Sequence, residues 1–221
     1  MNHPWQTILF DFDYTLADSS AGVVECINYA LNNLGLPPVP AAQACRTIGL
    51  SLPNTFVTLA GPEHQAQSDQ FVRLFIERAD QIMTDRTILF ETTRPAIQKL
   101  KQKGMQMGIV STKFKHRIES ILRRENMSAY FDLVIGGKDV TRHKPSPEGL
   151  NMALEMLNCA PANALYVGDS LTDAETAQRA GVAFVAVLSG TTPQEEFKPY
   201  PVEAFLAHVG ELPAWLMVLR N

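Results

Sequence analysis

The segment Asp11-Phe12-Asp13-Tyr14-Thr15 follows directly on the apolar run Thr7-Ile8-Leu9-Phe10. Two carboxylates two residues apart on extended backbone point to one side, because side-chain direction repeats every second residue. Like charges that close resist ionising together unless a cation sits between them. The pair therefore suits a hard divalent cation and a carboxylate free to attack an electrophile. Ile8-Leu9-Phe10 reads as a central strand of a parallel sheet covered on both faces. The carboxyl end of such a strand is where open α/β sheets bind their ligands.

Three more positions carry the chemistry this pair would need. Met107-Gly108-Ile109-Val110 runs into Ser111-Thr112-Lys113, and Leu165-Tyr166-Val167 runs into Gly168-Asp169-Ser170, with Asp173 shortly after. Between them lies the loop Arg142-His143-Lys144-Pro145-Ser146-Pro147. If the strands are parallel neighbours, one cleft collects carboxylates, a hydroxyl and an ammonium. A phosphoryl group needs that inventory: an attacking oxygen, cations against its charge, and donors that hold it.

With these residues in order, the chain resembles the haloacid dehalogenase superfamily, in its large phosphatase branch. The matching segments are Asp11-Phe12-Asp13-Tyr14-Thr15-Leu16, Val110-Ser111-Thr112-Lys113, Lys144-Pro145-Ser146-Pro147 and Gly168-Asp169-Ser170-Leu171-Thr172-Asp173, within about residues 6 to 190. The resemblance implies that Asp11 is the nucleophile, forming an aspartyl-phosphate, and that Asp13 is general acid and then base. It implies that Thr15 orients Asp13, that Ser111 and the Thr112 backbone hold phosphate, and that Lys144 neutralises nucleophile and phosphate. Asp11, Asp169 and the Asp13 carbonyl would bind Mg²⁺, with Ser170 and Asp173 in support. The family usually has glycine where this chain has Tyr14, so the turn after Asp13 must accommodate a bulky side chain. The founding dehalogenases lack an acid two residues after the nucleophile; Asp13 is present, which favours phosphoryl transfer over carbon–halogen cleavage.

Composition sets the outer bounds. A chain of 221 residues with 46% hydrophobic content can bury a full core and carry an insert. With 23 acidic and 19 basic residues the net charge is −4, which argues against nucleic acid as a standing partner. Cys26, Cys45 and Cys159 have no pairable spacing, as expected in a reducing compartment. The N-terminal Met1-Asn2-His3-Pro4-Trp5 lacks a basic region, so no signal peptide is expected, and no apolar stretch is long enough to span a membrane. The expectation is a cytoplasmic protein, monomer or homodimer, whose partner is a small phosphorylated metabolite.

These residues must be positioned by an α/β frame. About ninety residues separate Leu16 from the strand at Gln106, and they read as helices over Ala21–Leu34, Pro53–Leu59 (capped by Ser51) and about Glu63–Met83. A sheet crossover seldom needs several helices in succession, so this block reads as a helical cap domain over residues 17–86, inserted into a core of residues 1–16 and 87–221. From Pro95 the alternation is regular: helices at Pro95–Lys103, His116–Glu125, Pro147–Leu157 and Asp173–Ala180, with strands at Gln106–Val110, Leu133–Ile135, Ala164–Val167 and Val182–Val187. That alternation predicts a doubly wound parallel sheet. The apolar tail Pro213–Leu219 is expected to dock on its own core.

For the substrate, the loop expected above the site is Thr47-Ile48-Gly49-Leu50-Ser51-Leu52, and no Lys or Arg occurs from Thr47 to Val72. A cap that clamps pyrophosphate would carry cations there. The uncharged loop points to a small phosphate monoester, and the pattern is similar to phosphoglycolate phosphatases. Arg46, Lys113 and Arg142 are the candidates for a second anionic group, with Gly49, Leu50 and Ser51 as cap-loop determinants. A β-phosphoglucomutase-like phosphotransferase and an inorganic pyrophosphatase of the same superfamily stay open. So does a non-catalytic phospho-ligand binding or phospho-acceptor protein, although such a protein would have less reason to keep Asp11, Asp13, Lys144 and Asp169 together.

Overall fold

The computed structural model describes residues 5–218. In chain order the elements are β1 (Thr7–Phe10), β2 (Ala17–Asp18), α1 (Ser20–Asn33), α2 (Ala41–Cys45), α3 (Leu52–Ala60), α4 (Ser68–Ile82), β3 (Ile88–Leu89), α5 (Thr93–Gln102), β4 (Gln106–Val110), α6 (Lys115–Arg124), β5 (Leu133–Ile135), α7 (Glu148–Met156), β6 (Ala164–Gly168), α8 (Leu171–Ala180), β7 (Ala183–Val187), β8 (Ala204–Leu206) and α9 (Leu212–Val218). Six strands form one sheet in the order β5-β4-β1-β6-β7-β8. All its pairings are parallel. From β1 the chain fills one side of the sheet, through β4 and β5, then crosses to β6 on the other. The order thus reverses beside β1, which is where a doubly wound sheet opens a ligand crevice.

Alternation along the strands divides the core between the two faces. Ile8, Phe10, Met107, Ile109, Leu165 and Val167 pack with Ile97 and Leu100 of α5, Ile118 and Ile121 of α6, and Leu216 of α9. Leu9, Tyr166, Phe184 and Ala186 pack on the opposite face with Leu150 and Ala153 of α7 and Ala174 and Ala177 of α8. Both faces are dry, which is why these strands read as unbroken apolar runs rather than alternating ones.

The helical insert leaves the sheet domain after Leu16 and has a hydrophobic cluster of its own. Cys26, Ile27 and Leu31 of α1 meet Ala44, Phe56 of α3, and Phe71, Phe75 and Ala79 of α4. Phe56 and Phe71 stack with ring centroids 4.8 Å apart; such a pair contributes about 0.5–1.5 kcal/mol beyond its burial. Outgoing and returning chain pair as the two-stranded antiparallel ribbon β2–β3, Ala17 opposite Leu89 and Asp18 opposite Ile88. The helix expected over Glu63–Met83 becomes regular only at Ser68. Gly61, at φ 96°, ends the preceding helix, and Pro62–Gln67 winds as a 3₁₀ stretch. Ser51 caps α3 as expected, its hydroxyl accepting from the Asn54 N–H.

The closing segment docks on its own domain. Leu212 and Leu216 are buried in the sheet core, and Trp215 stacks on Trp5 at 5.5 Å. Leu219, the last residue of the apolar tail, lies outside the described residues. Among the described residues no helix is long and apolar enough to cross a membrane.

Candidate active site

Parallel strands deliver their carboxyl ends to one edge, and the loops there carry the reactive residues. β1 is followed at once by Asp11, whose N–H extends the ladder by donating to the Val167 carbonyl at 2.9 Å. β4 ends at Ser111, whose N–H donates to the Ile135 carbonyl. β6 ends at Gly168 and presents Asp169, while the loop after β5 returns Lys144 to the same place. Asp11, Ser111, Lys144, Asp169 and Asp173 are all buried.

The centre is a knot of carboxylates around one ammonium. Lys144 Nζ lies 3.0 Å from Asp11 Oδ1, is hydrogen-bonded to Asp173, and donates to the Tyr166 hydroxyl at 3.2 Å. The Tyr166 hydroxyl in turn donates to the Val110 carbonyl at 2.9 Å and sits 3.1 Å from Asp173. Asp173 also closes the capping box of α8: Ser170 N–H and Oγ donate to its carboxylate, and Ser170 Oγ accepts from its N–H. Burial raises the Asp11 carboxyl to about 6, the Lys144 ammonium opposing and the Asp173 and Asp13 charges reinforcing the shift. Asp169 is pushed well above the carboxylate range by burial and by the charges of Asp173 and Asp11. Burial alone would lower Lys144, but Asp11 and Asp173 more than reverse this and hold it above its usual range.

This donor set suits a divalent cation. Oxygens of Asp11, Asp169 and Asp173 lie within 4.8 Å of one another. Three carboxylates share one ammonium, a shortage of positive charge that a divalent cation would make good. Asp11 Oδ1, despite its nearness to Lys144, is buried with no hydrogen bond of regular geometry. Hard oxygen ligands few in number are what Mg²⁺ takes. Gly190 makes room for this arrangement, since a Cβ there would stand 2.0 Å from Asp169 Oδ2.

Several sequence expectations are revised here. Thr15 does not orient Asp13; its hydroxyl donates to Asp169 Oδ1 at 3.3 Å. The chain leaves extended geometry after Phe12 and turns, with Tyr14 N–H donating to the Ala17 carbonyl. Asp13 therefore does not share the cluster of Asp11. Its carboxylate is gripped instead by Lys113 Nζ, at 3.0 and 3.2 Å from its two oxygens. Tyr14 adopts φ 60°, the left-handed backbone where glycine is usual. Its ring is buried, and its carbonyl accepts from Ser189 Oγ at 2.6 Å, which holds the turn.

A cavity of about 300 Å³ opens beside Asp13, between the sheet edge and the insert. Gly49, Leu50, Ser51, Thr112 and Lys113 are among its lining residues. Arg46 and Arg142 are not among its lining residues; both are exposed, and Arg142 pairs with Glu148. Their place is taken by Arg117, a buried residue of α6 that lines the cavity and reaches across to Asp80 of α4 at 2.9 Å and to the Ile76 carbonyl. Sequence reading missed Arg117 and Tyr166. Arg117 lies on the buried stripe of α6 with Ile118, Ile121 and Leu122, and a cation on an apolar stripe was the available signal. For Tyr166 the signal was a hydroxyl within a wholly buried strand.

Comparison with known proteins agrees with this geometry. The chain is 31% identical over 196 residues to a protein from Bacillus mycoides (strain KBAB4) named Pyrophosphatase PpaX, covering 87% of this chain and 89% of that one. A crystal structure from Bacteroides fragilis, titled as a candidate haloacid dehalogenase-like hydrolase, superposes with a TM-score of 0.91 at 43% identity, over 94% of this chain and 99% of that one. Another, from Lactobacillus plantarum and titled as a candidate phosphoglycolate phosphatase, gives a TM-score of 0.83 at 26% identity, over 96% and 99%. Residues 8–187, which hold every strand-end residue described above, match the haloacid dehalogenase-like hydrolase family, and the chain belongs to that family.

Proposed function

We propose that this protein is a Mg²⁺-dependent phosphatase that hydrolyses a small organic phosphate monoester through an aspartyl-phosphate on Asp11. The observation that carries this reading is the convergence of Asp11, Lys144, Asp169 and Asp173 at one sheet edge, with Asp13 facing the adjoining cavity. Asp11 and Asp169, with the Asp13 carbonyl, would hold Mg²⁺, and Asp173, already held by Lys144 and Ser170, would support them; when bound the ion supplies positive charge to the phosphoryl oxygens and keeps the nucleophile ionised. Asp11 attacks phosphorus, and the ester oxygen departs with a proton from Asp13. Water then attacks the aspartyl-phosphate, giving its proton back to Asp13. Lys144 stays beside the nucleophile throughout and offsets the charge that accumulates there. Ser111 Oγ, already accepting from the Lys113 N–H, keeps its proton for a phosphoryl oxygen.

The insert, as the cap of residues 17–86, supplies the wall opposite the sheet edge. Its contribution to the cavity is uncharged: Ile48, Gly49, Leu50, Ser51 and Leu52, backed by Ile27, Val72 and Phe75. On the sheet side, Lys113 and Arg117 are each engaged with an aspartate, while Lys138 and His143 also line the cavity. The cap wall favours an organic leaving group over a second phosphoryl group, whose charge would meet apolar surface there. Pyrophosphate is the second reading, favoured by the name of the Bacillus relatives. Phosphoglycolate belongs among the test compounds because of the Lactobacillus likeness.

The test is phosphate release from a panel of monoesters, phosphoglycolate included, and from pyrophosphate, in Mg²⁺ and in EDTA. The expected result is ester turnover above pyrophosphate turnover, abolished by EDTA. Preference for pyrophosphate would replace the monoester reading. Return of the phosphoryl group to a sugar phosphate would make the protein a phosphotransferase.

A further inference from the structure

The carboxylate that exchanges a proton with the leaving group is held by Lys113. Among the described residues, the hydrogen bonds to the Asp13 carboxylate come from Lys113, which reaches both oxygens, at 3.0 and 3.2 Å. The Lys113 side chain is 4% exposed and that of Asp13 is 13% exposed, so water competes little for either. The lysine is itself fixed. Its N–H donates to Ser111 Oγ at 3.3 Å, its carbonyl accepts from the Gly137 N–H at 3.0 Å, and its ammonium lies 6.0 Å from the Phe12 ring centroid. Backbone on both sides of the ammonium's stem is thus anchored to the phosphate-side loop and to the loop after β5. The hydroxyl that the family resemblance assigned to this task, that of Thr15, is committed to Asp169.

We propose that Lys113 is the positioning residue of Asp13: by spanning both carboxylate oxygens it sets the plane of the carboxyl group at the cavity mouth. Aimed in this way, one oxygen faces the ester oxygen of a bound substrate. Removing the ammonium leaves the Asp13 side chain free to turn about its own torsions, since among the described residues no other side chain is hydrogen-bonded to its carboxylate. A misplacement on the order of 1 Å in a reacting group costs on the order of 10²-fold in rate. The cost falls on the step that needs the proton. It is large for an alkyl ester, whose alkoxide is a poor leaving group, and small for p-nitrophenyl phosphate, whose leaving group departs with little protonation. Both esters share the phosphoryl group, so effects on phosphate binding cancel in their ratio.

This inference rests on the phosphatase reading, in which Asp13 is the proton donor. The experiment measures kcat/KM, which reports steps up to and including phosphorylation of the enzyme, for glycerol 2-phosphate and p-nitrophenyl phosphate. Wild type is compared with Lys113→Met, Lys113→Arg, Asp13→Asn and the double variant Lys113→Met with Asp13→Asn. Lys113→Met should lose at least about tenfold more on the alkyl ester than on the aryl ester, part of the range general acid catalysis supplies. Asp13→Asn should show the same bias, and the double variant should be no worse than Asp13→Asn, because both changes act through one group. Lys113→Arg keeps the charge against a buried aspartate and serves if the Met variant fails to fold; its longer planar fork displaces the carboxyl and should give the same bias in smaller degree. Equal proportional losses on the two esters, or losses that multiply in the double variant, overturn the positioning role alone. A wild-type enzyme that releases phosphate from neither these esters nor any other monoester of the panel overturns the phosphatase reading and this inference with it.

Discussion

Lys144→Met tests how charge is balanced in the buried centre. Methionine keeps most of the apolar stem and removes the ammonium that contacts Asp11, Asp173 and the Tyr166 hydroxyl. Deleting one partner of a buried ion pair costs about 3–5 kcal/mol, chiefly because the remaining charge is left uncompensated. Here the lower end, about 3 kcal/mol, is expected, since burial shifts Asp11 and Asp169 toward the protonated form and lets them discharge by taking up protons. For a chain of this size that corresponds to a fall in Tm of roughly 6–12 °C. Added Mg²⁺ should then do more for the variant than for wild type, because the acidic cluster has lost its competing cation. At about 100 times its Kd a ligand adds about 2.7 kcal/mol, enough to restore most of the loss. Urea unfolding followed by tryptophan fluorescence, in EDTA and in Mg²⁺, gives the four stabilities needed. The reasoning fails if the variant is as stable as wild type in EDTA, or if Mg²⁺ stabilises the two proteins equally.

Other consequences are equally direct. Gly190→Ala places a methyl group 2.0 Å from Asp169 Oδ2 and must displace that carboxylate; the Mg²⁺ concentration for half-maximal activity should rise by about 10–100-fold, as when a ligand's supporting contact is lost. Arg117→Met removes the cation that ties α6 to Asp80 and the Ile76 carbonyl of α4. The expected loss is about 1–2 kcal/mol, less than for a wholly buried pair because Asp80 is half exposed, and hydrogen exchange of the α4 amides should accelerate before that of the sheet; unchanged exchange would mean the contact holds nothing together. Leu50→Lys adds a cation to the uncharged wall of the cavity and should shift kcat/KM toward esters with a second negative group, leaving Mg²⁺ affinity unchanged.

What the sequence revealed follows from where burial leaves a one-dimensional trace. β4 and β5 were found to the residue because a strand covered on both faces is a continuous apolar run with polar ends. The strand-end chemistry was legible for the same reason: Asp11, Ser111 and Asp169 each stand where an apolar run stops. The ribbon β2–β3 was not legible, since two residues per strand are too few to show a period. Nor was β8, an edge strand of three residues that follows the irregular stretch with Pro193, Pro199 and Pro201. The failures in the site are failures of partner choice. Thr15 lies two residues from Asp13 yet bonds to Asp169, 154 residues away, and Lys113, read as a candidate for a substrate's second anionic group, is buried against Asp13. Arg46 and Arg142 had the right charge in the right segments, yet neither lines the cavity, and Arg142 is paired with Glu148. A sequence supplies the groups at a site; which donor meets which acceptor depends on turns such as the one at Tyr14, where a left-handed residue redirects the chain after Phe12.

The central claim is that Asp11 carries the phosphoryl group during turnover. Wild-type enzyme mixed with an ester substrate and Mg²⁺, quenched in acid within the first turnover and digested, should yield a peptide spanning Asp11 heavier by one phosphoryl group, sensitive to hydroxylamine and absent from Asp11→Asn, which should fold but release no phosphate. Phosphate release at the wild-type rate by Asp11→Asn, or full turnover with the phosphoryl group never found on Asp11, would contradict the account.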